Sequence, residues 1–257
     1  MENTTFIDMG AGPGTFSFAF KNWSRSSKPI YQVELSEAMK KQARLLWNGF
    51  FSDSELIQNI PSHLDGPTVM FFGHSANEMG VETTLRYIEK INPTHVIFLE
   101  PGTKDFFKKM LVIRDRLLQF SWNQVYPCSS NTQCPIKDKD DWCHQYIHHV
   151  HTDELERVGQ KVGINRRFMS MTFQVFSKRN LFQTVKAKLM RVKDETKFSF
   201  EWVICHNEQI YEVQVMKRGL DKAQMKELAQ ILAGELIEYQ IEKVLEQGKL
   251  RIKLLPK

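Results

Sequence analysis

Seven residues near the start of the chain, Asp8-Met9-Gly10-Ala11-Gly12-Pro13-Gly14, constrain the fold more than any other stretch. They follow a short strand-like run, Thr5 to Asp8, and lead into Thr15 to Phe20, which begins a predicted helix. Glycines let the backbone turn sharply and bring main-chain N–H groups close to a ligand, and the strand-to-helix setting makes such a loop informative. Glu34 lies 26 residues beyond Asp8, at the end of a second strand-like run, Ile30 to Val33. A carboxylate there can accept hydrogen bonds from vicinal ribose hydroxyls. The spacing Asp-x-Gly-x-Gly-x-Gly, with a proline inside it, differs from the Gly-x-Gly-x-x-Gly of dinucleotide sites and favours S-adenosylmethionine. A glycine-rich turn without a ligand is the plainer alternative.

The same alternation continues. Ser36 is a candidate N-cap for a helix to Trp47, and Thr68 to Phe72 and Thr94 to Leu99 are buried-type strands around a helix near Val81 to Ile91. This β-α-β-α order argues for an α/β fold, a doubly wound, Rossmann-like parallel sheet. Its third strand is obscure, near Phe50-Phe51 or Glu55 to Ile57. Ser75, Asn77 and Glu78 follow the strand at 68–72, where side chains face a bound nucleoside or its acceptor, or else cap the next helix. Phe168 to Phe176 alternates as a returning strand.

From Asn180 the style changes to three strands, Val185 to Val192, Lys197 to Cys205 and Ile210 to Lys217, then a helix from Asp221 to Glu246 and a strand at Leu250 to Leu254. The division expected is 1–179 for the cofactor domain, with a polar, cysteine-rich insertion at 127–150, and 180–257 for a small α+β domain.

All four cysteines belong to one candidate constellation, Cys128, Cys134 and Cys143 in the insertion and Cys205 from the small domain. Disulfides are disfavoured in a reducing compartment. Four thiolates suit a tetrahedral metal or an iron–sulfur cluster. The wide C-x5-C-x8-C spacing lacks the paired knuckles of a zinc ribbon, which favours a [4Fe–4S] cluster over zinc.

Charge is uneven. Residues 1–100 hold 8 Lys and Arg against 11 Asp and Glu, and residues 101–257 hold 27 against 19. The basic half is where a polyanion would be met. Arg166, Arg167, Lys178, Arg179, Lys186, Lys188, Arg191 and Lys193 are its densest stretch, and alternation would put Lys186 and Lys188 on one strand face open to phosphates. An ordinary solvated face is the alternative. On a helix, His144, His148 and His151 would share a side, although separate metal binding there is a minor reading. No run is long enough to cross a bilayer, and no secretory or transit signal is recognisable, so no membrane association is expected.

With these residues in view, Asp8 to Gly14 resembles the first motif of class I methyltransferases. Ile97-Phe98-Leu99-Glu100-Pro101-Gly102-Thr103, Ile113 to Leu117, Pro127-Cys128, Cys134-Pro135 and Asp141-Trp142-Cys143-His144 resemble the methyltransferase-like family of the ribosomal small subunit, which has bacterial and mitochondrial members. The resemblance runs from about Phe6 to about Lys217. It implies that Asp8, Gly10, Gly12, Gly14 and Glu34 bind S-adenosylmethionine, that Ser75 and Asn77 line the same site, and that Cys128, Cys134, Cys143 and Cys205 hold a [4Fe–4S] cluster. The partners it implies are small-subunit ribosomal RNA and ribosomal proteins, bound by a chain that is monomeric off the ribosome. It places the protein in a bacterial cytoplasm, or in the mitochondrion of a eukaryote. Family members usually carry a helical region ahead of the first motif, whereas this sequence begins almost on the first strand. His74-Ser75-Ala76-Asn77-Glu78 stands where amine methyltransferases have Asn-Pro-Pro-aromatic, and no residue stands out as a general base. Two functions follow: a cofactor-binding assembly or translation factor, or an active RNA methyltransferase.

Overall fold

A computed structural model describes residues 4–24, 30–51, 64, 66–128, 131–148, 151–164, 168–179 and 186–255. Its contacts divide the chain into two units. The first comprises Met1–Pro101, Val112–Asn123 and Phe173–Leu181, and the second Gly102–Leu111, Gln124–Thr172 and Phe182–Lys257.

The first unit opens with β1 (Thr5–Met9), α1 (Thr15–Ser24), β2 (Ile30–Val33) and α2 (Glu37–Phe50), and continues with β3 (Thr68–Gly73), α3 (Ala76–Met79), α4 (Val81–Ile91) and β4 (His95–Pro101). Strands β1 to β4 are parallel and lie in the order β2-β1-β3-β4. A parallel strand covered on both faces reads as a continuous apolar run, and β3 is buried from Thr68 to Phe72. The rings of Phe72 and Phe98 stack at 5.1 Å, and Phe176 meets Phe98 edge-on at 6.1 Å, so aromatic contacts tie neighbouring strands. Ser36 caps α2 as its sequence implies, its Oγ accepting from Met39 N–H at 3.4 Å. The obscure third strand is not at Phe50-Phe51, which end α2 and cap it, and residues 55–57 lie outside the described residues. The strand at 68–73 pairs directly with β1.

Beyond β4 the chain forms α5 (Lys104–Gln119), β5 (Asn123–Tyr126), β6 (Gln145–His148), α6 (Asp153–Val162) and β7 (Phe168–Ser177). The sheet order continues β4-β7-β5, with β6 antiparallel on β7. The insertion at 127–150 is less polar in its packing than its composition suggests. Ile136 and Gln145 are buried, and Gln145 to His148 is strand rather than helix, so His144, His148 and His151 share no helical face.

The second unit ends in a separate sheet of β8 (Ala187–Glu195), β9 (Ser199–His206), β10 (Gln209–Met216), β11 (Leu236–Ile237), β12 (Tyr239–Val244) and β13 (Leu250–Leu254). Their order is β11-β8-β9-β10-β13-β12. Ala187, Leu189, Trp202, Ile204, Val213 and Val215 point to one face and form a core, with Leu228 of α7 (Lys222–Ala229) against it. The helix predicted over 221–246 stops at Ala229. Gly234, at φ +106°, then turns the chain so that its N–H bonds to Leu189 O at 2.8 Å and Leu236 pairs with Lys188. Leu236 and Ile237 matched the helical stripe but belong to a strand.

Gly102, just past β4, is the tightest joint of this unit. Its carbonyl accepts from the Trp142 indole and the Ser170 hydroxyl, each at 3.0 Å, and a Cβ there would lie 2.6 Å from Met171 N. A backbone neighbour cannot give way, so Gly102→Ala is expected to cost about 1–3 kcal/mol. Gly49, inside α2 with nothing within 4 Å of an added Cβ, is the contrast. Gly49→Ala should be neutral or gain up to about 1 kcal/mol through helix propensity. Urea unfolding of both variants checks the pair, and equal effects would refute the assignment.

Candidate functional site

The loop after β1 owes its shape to three left-handed glycines, Gly10, Gly12 and Gly14 at φ +68°, +56° and +83°. At Gly10 a Cβ would press on Ser75 Cβ at 2.5 Å, and at Gly14 on Gln32 Nε2 at 2.6 Å, whereas at Gly12 it would meet open space. The loop is tied to the end of β2, because Val33 O accepts from the N–H groups of Gly10 and Ala11 at 2.8 and 3.1 Å. Beside it the Glu34 carboxylate gathers three amides, Gly12 at 2.8 Å on Oε2 and Leu35 and Ser36 at 2.7 and 2.8 Å on Oε1. Asp8 lies beneath, buried, with Oδ2 accepting from Ser17 Oγ at 2.6 Å. Burial pushes its carboxyl up to about 6, opposed by Ser17 and reinforced by the charge of Glu34.

The segment after β3 closes the other side of the loop. Ser75 precedes α3 without capping it through its side chain, and its buried Oγ has no hydrogen-bond partner among the described residues. Gln32 Nε2 is likewise buried and unpartnered. Such atoms cost free energy unless a ligand or water completes them. The structure thus brings Gly10 against Ser75, and Gly12 against Glu34. Asn77 is held through its backbone, its N–H and that of Ala76 donating to Glu100 at 3.3 and 2.8 Å.

Glu100, at the end of β4, is fully buried. Burial pushes its carboxyl up to about 7 against the lowering effect of the Ala76, Asn77 and Ser75 amides, and Glu78 adds to the rise. Sequence reasoning quoted Glu100 within a motif without giving it a role, and it missed Gln32. The available signal was a carboxylate placed where a parallel strand ends.

In the second unit three of the four cysteines lie beside one apolar cluster at the C-terminal sheet. Cys205 on β9 stands opposite Lys188 on β8, and Cys134, Cys143 and Cys205 pack against Phe107, Leu111, Ile136, Met190 and Val203. None of the four is in a disulfide, and all are half-buried. Burial pushes the Cys205 thiol up to about 12, with Cys128, Cys143 and Cys134 adding to the rise and Lys188 opposing it. Lys188 Nζ donates to Cys143 Sγ at 2.8 Å. Thiols are the donor type that soft metals prefer. Among the described residues, no group of three or more His, Cys, Asp or Glu side chains could hold a metal ion as placed.

Three residues of the basic stretch are paired with carboxylates. Lys186 pairs with Glu238 at 2.8 Å, Lys193 with Glu212 at 2.7 Å, and Arg191 with Asp141. Lys188 does not share an open face with Lys186, because it points inward among the cysteines. Lys178 lies against Asn92 and the Trp122 ring, and residues 166 and 167 lie outside the described residues. No described helix is long and apolar enough to cross a membrane.

The raised carboxyls of Asp8 and Glu100 have a sign. Their folded values, about 6 and about 7, exceed the ordinary 3.8 and 4.5, so the native state binds protons more tightly than the unfolded chain. Stability is then highest below the ordinary values and falls as pH rises through the folded ones. The thermal midpoint should drop between about pH 4 and about pH 7, and Glu100→Gln should flatten that slope. A slope unchanged in this variant would contradict the burial argument.

The family model that matches residues 2–205 is described as mitochondrial small ribosomal subunit Rsm22. No curated relative matches the chain. Several solved structures similar to it are described as methyltransferases. A putative RNA methyltransferase from Pyrococcus horikoshii is 11% identical with a TM-score of 0.43, over 71% of this chain and 76% of that one. TrmK of M. capricolum, solved with S-adenosylhomocysteine, is 8% identical with a TM-score of 0.41, over 70% and 64%. A putative methyltransferase from Bacillus halodurans is 11% identical with a TM-score of 0.41, over 70% and 94%. The fold is an α/β sheet whose first four strands are parallel, with a small separate C-terminal sheet, as the β-α alternation implies. Because the family model covers well over half of the 257 residues, the chain belongs to the mitochondrial small ribosomal subunit Rsm22 family.

Proposed function

We propose that the protein binds S-adenosylmethionine on the β1 loop and acts on the small ribosomal subunit, during assembly or translation, in contact with its RNA and proteins. The carrying observation is the joint placement of three left-handed glycines, the Glu34 carboxylate at the end of β2, and the unpartnered Ser75 Oγ against Gly10. When bound, the cofactor supplies an electrophilic methyl group on a sulfonium. Glu34 is suited to exchange its amide donors for ribose hydroxyls, and the Gly10 to Gly14 backbone admits close approach because no side chain stands in the way. Asp8 braces the loop through Ser17, and Ser75 and Asn77 form the opposite wall.

Membership of a mitochondrial ribosomal family supports small-subunit association and a mitochondrial site of action. Whether a methyl group is transferred distinguishes a binding factor from an RNA methyltransferase. The factor reading is favoured because the segment after β3 commits the Ala76 and Asn77 amides to Glu100 and carries no Asn-Pro-Pro-aromatic sequence to align an amine. We also assign Cys128, Cys134, Cys143 and Cys205 as ligands of a [4Fe–4S] cluster, with zinc as the alternative. The support is the presence of four thiols, three of them packed beside one apolar cluster, with Lys188 donating to the sulfur of Cys143.

Three measurements test these assignments. Equilibrium dialysis with labelled S-adenosylmethionine should show binding that falls more than about tenfold in Gly10→Ala, since the new Cβ strains a left-handed residue and displaces Ser75. Wild-type binding preserved in that variant would remove the site from the β1 loop. Incubation of the protein with labelled cofactor and immature small subunits should give association without label in the RNA, and label that vanishes in Asp8→Ala would establish the enzyme instead. Anaerobically purified protein should be brown, with close to stoichiometric iron and sulfide that Cys205→Ser loses. A colourless protein with one zinc per chain would overturn the cluster.

A further inference from the structure

Five basic side chains on or beside the C-terminal sheet are paired with carboxylates: Lys186 with Glu238, Arg191 with Asp141, Lys193 with Glu212, Lys217 with Glu195 and Lys249 with Glu201. At the β13–β12 end the pattern changes. Lys243, Arg251 and Lys253 have no carboxylate partner among the described residues. The register of β12 explains this. From Tyr239 to Ile241 it faces Leu254 to Ile252 in regular antiparallel order, and that order continued would set Glu242 opposite Arg251. A bulge intervenes instead, Glu242 is skipped, and Lys243 stands opposite Arg251. Residues directly opposite share a face with Cβ atoms ~5 Å apart, where like charges repel. On the other side of Arg251, Gln214 of β10 supplies oxygen without charge. Its Oε1 accepts from Arg251 Nε and Nη2 at 3.3 and 3.2 Å, and its Nε2 donates to Glu201 at 2.9 Å. The guanidinium is thereby oriented without being neutralised. Strand alternation sets Lys253 on the same face as Arg251, and Lys243 and Lys253 are exposed while Arg251 is half-buried.

We propose that Lys243, Arg251 and Lys253 form a phosphate-binding face through which the chain docks on small-subunit RNA. This rests on the proposed contact with that RNA and locates it on two neighbouring strands. Two cations set directly opposite cost stability, and an anion shared between them removes the cost. A phosphate oxygen suits the place, because Arg251 is held by Nε and Nη2 and still has N–H donors to offer, in a planar fork that matches phosphate geometry. A polyanion fits better than a single ion, since Lys253 continues the positive row one step along β13, and each cation that meets a phosphate releases condensed counterions. Contacts of this kind fix position and orientation without reading bases, so the face is a docking element.

The test measures retention of in vitro transcribed small-subunit ribosomal RNA by the full chain over a series of salt concentrations. In the double variant Lys243→Gln with Lys253→Gln, affinity at about 0.1 M salt should fall about tenfold or more, and the slope of log Kd against log salt should fall by about 1.4, at about 0.7 for each phosphate on a single strand. The double variant Lys186→Gln with Lys193→Gln lowers net charge equally but removes cations already paired with Glu238 and Glu212, and should keep the wild-type slope. Lys243→Glu places an acid opposite Arg251, so its thermal midpoint should match or exceed that of wild type while RNA binding falls. A midpoint well below wild type in this variant contradicts the repulsion on which the face rests. Equal losses in the two double variants overturn the face in favour of general electrostatic attraction. A wild-type slope in Lys243→Gln with Lys253→Gln overturns it while leaving RNA bound by another surface. Weakened association with small subunits at unchanged affinity for free RNA overturns it in favour of an acidic ribosomal protein. Wild-type protein that retains no RNA at any salt removes the proposed RNA contact itself, and the face with it.

Discussion

Two carboxylates organise the ends of the parallel strands in the first unit. Where a parallel strand stops and its loop begins, backbone N–H groups lose their ladder partners and need new ones. Glu34, past β2, takes the amides of Gly12, Leu35 and Ser36, and Glu100, ending β4, takes those of Ala76 and Asn77. Amides gathered on a carboxyl group in this way hold two short loops without help from the loops' own side chains. The two acceptors differ in environment. Glu34 is half-buried, whereas Glu100 is closed off from water and held toward its neutral form by that burial. One acceptor is therefore open to solvent, and the other serves as a fixed clamp.

Much of this half was legible because it depends on residues with few conformational options. Only glycine enters the left-handed region freely, so alternate glycines after a strand announce the β1 loop. The distance from Asp8 to Glu34 spans one helix and one strand, which places the second carboxylate at the next strand end. Gln32 and Ser75 were harder to read, since being unpartnered is a property of packing rather than of composition. Glu100 was visible as sequence but not as a clamp, because its partners are backbone amides 23 and 24 residues away.

The C-terminal half was read less well, for an identifiable reason. Its sheet is covered on both faces, so inward positions do not alternate cleanly with polar ones. Lys188 reads as part of a basic face with Lys186, yet the two are split, one salt-bridged to Glu238 and the other enclosed by sulfur. The stretch from Met225 to Ile237 carries apolar residues at helical spacing, and only Gly234, pressed against Gln145, shows that the chain must turn. The positions of the cysteines were clear from counting, but the cation among them required the phase of β8.

The strand order of the second sheet bears on how the chain acquires its shape during synthesis. Strand β13 lies between β10 and β12, parallel to one and antiparallel to the other. The outer side of β10, with buried Val213 and Val215, thus gains its neighbour only after Leu250–Leu254 has left the exit tunnel. Until then a strand edge stands unsatisfied, open to adventitious pairing with other nascent polypeptides. A premature stop before residue 250 would remove an interior plank rather than a fringe, leaving a torn sheet for chaperones and proteases to recognise.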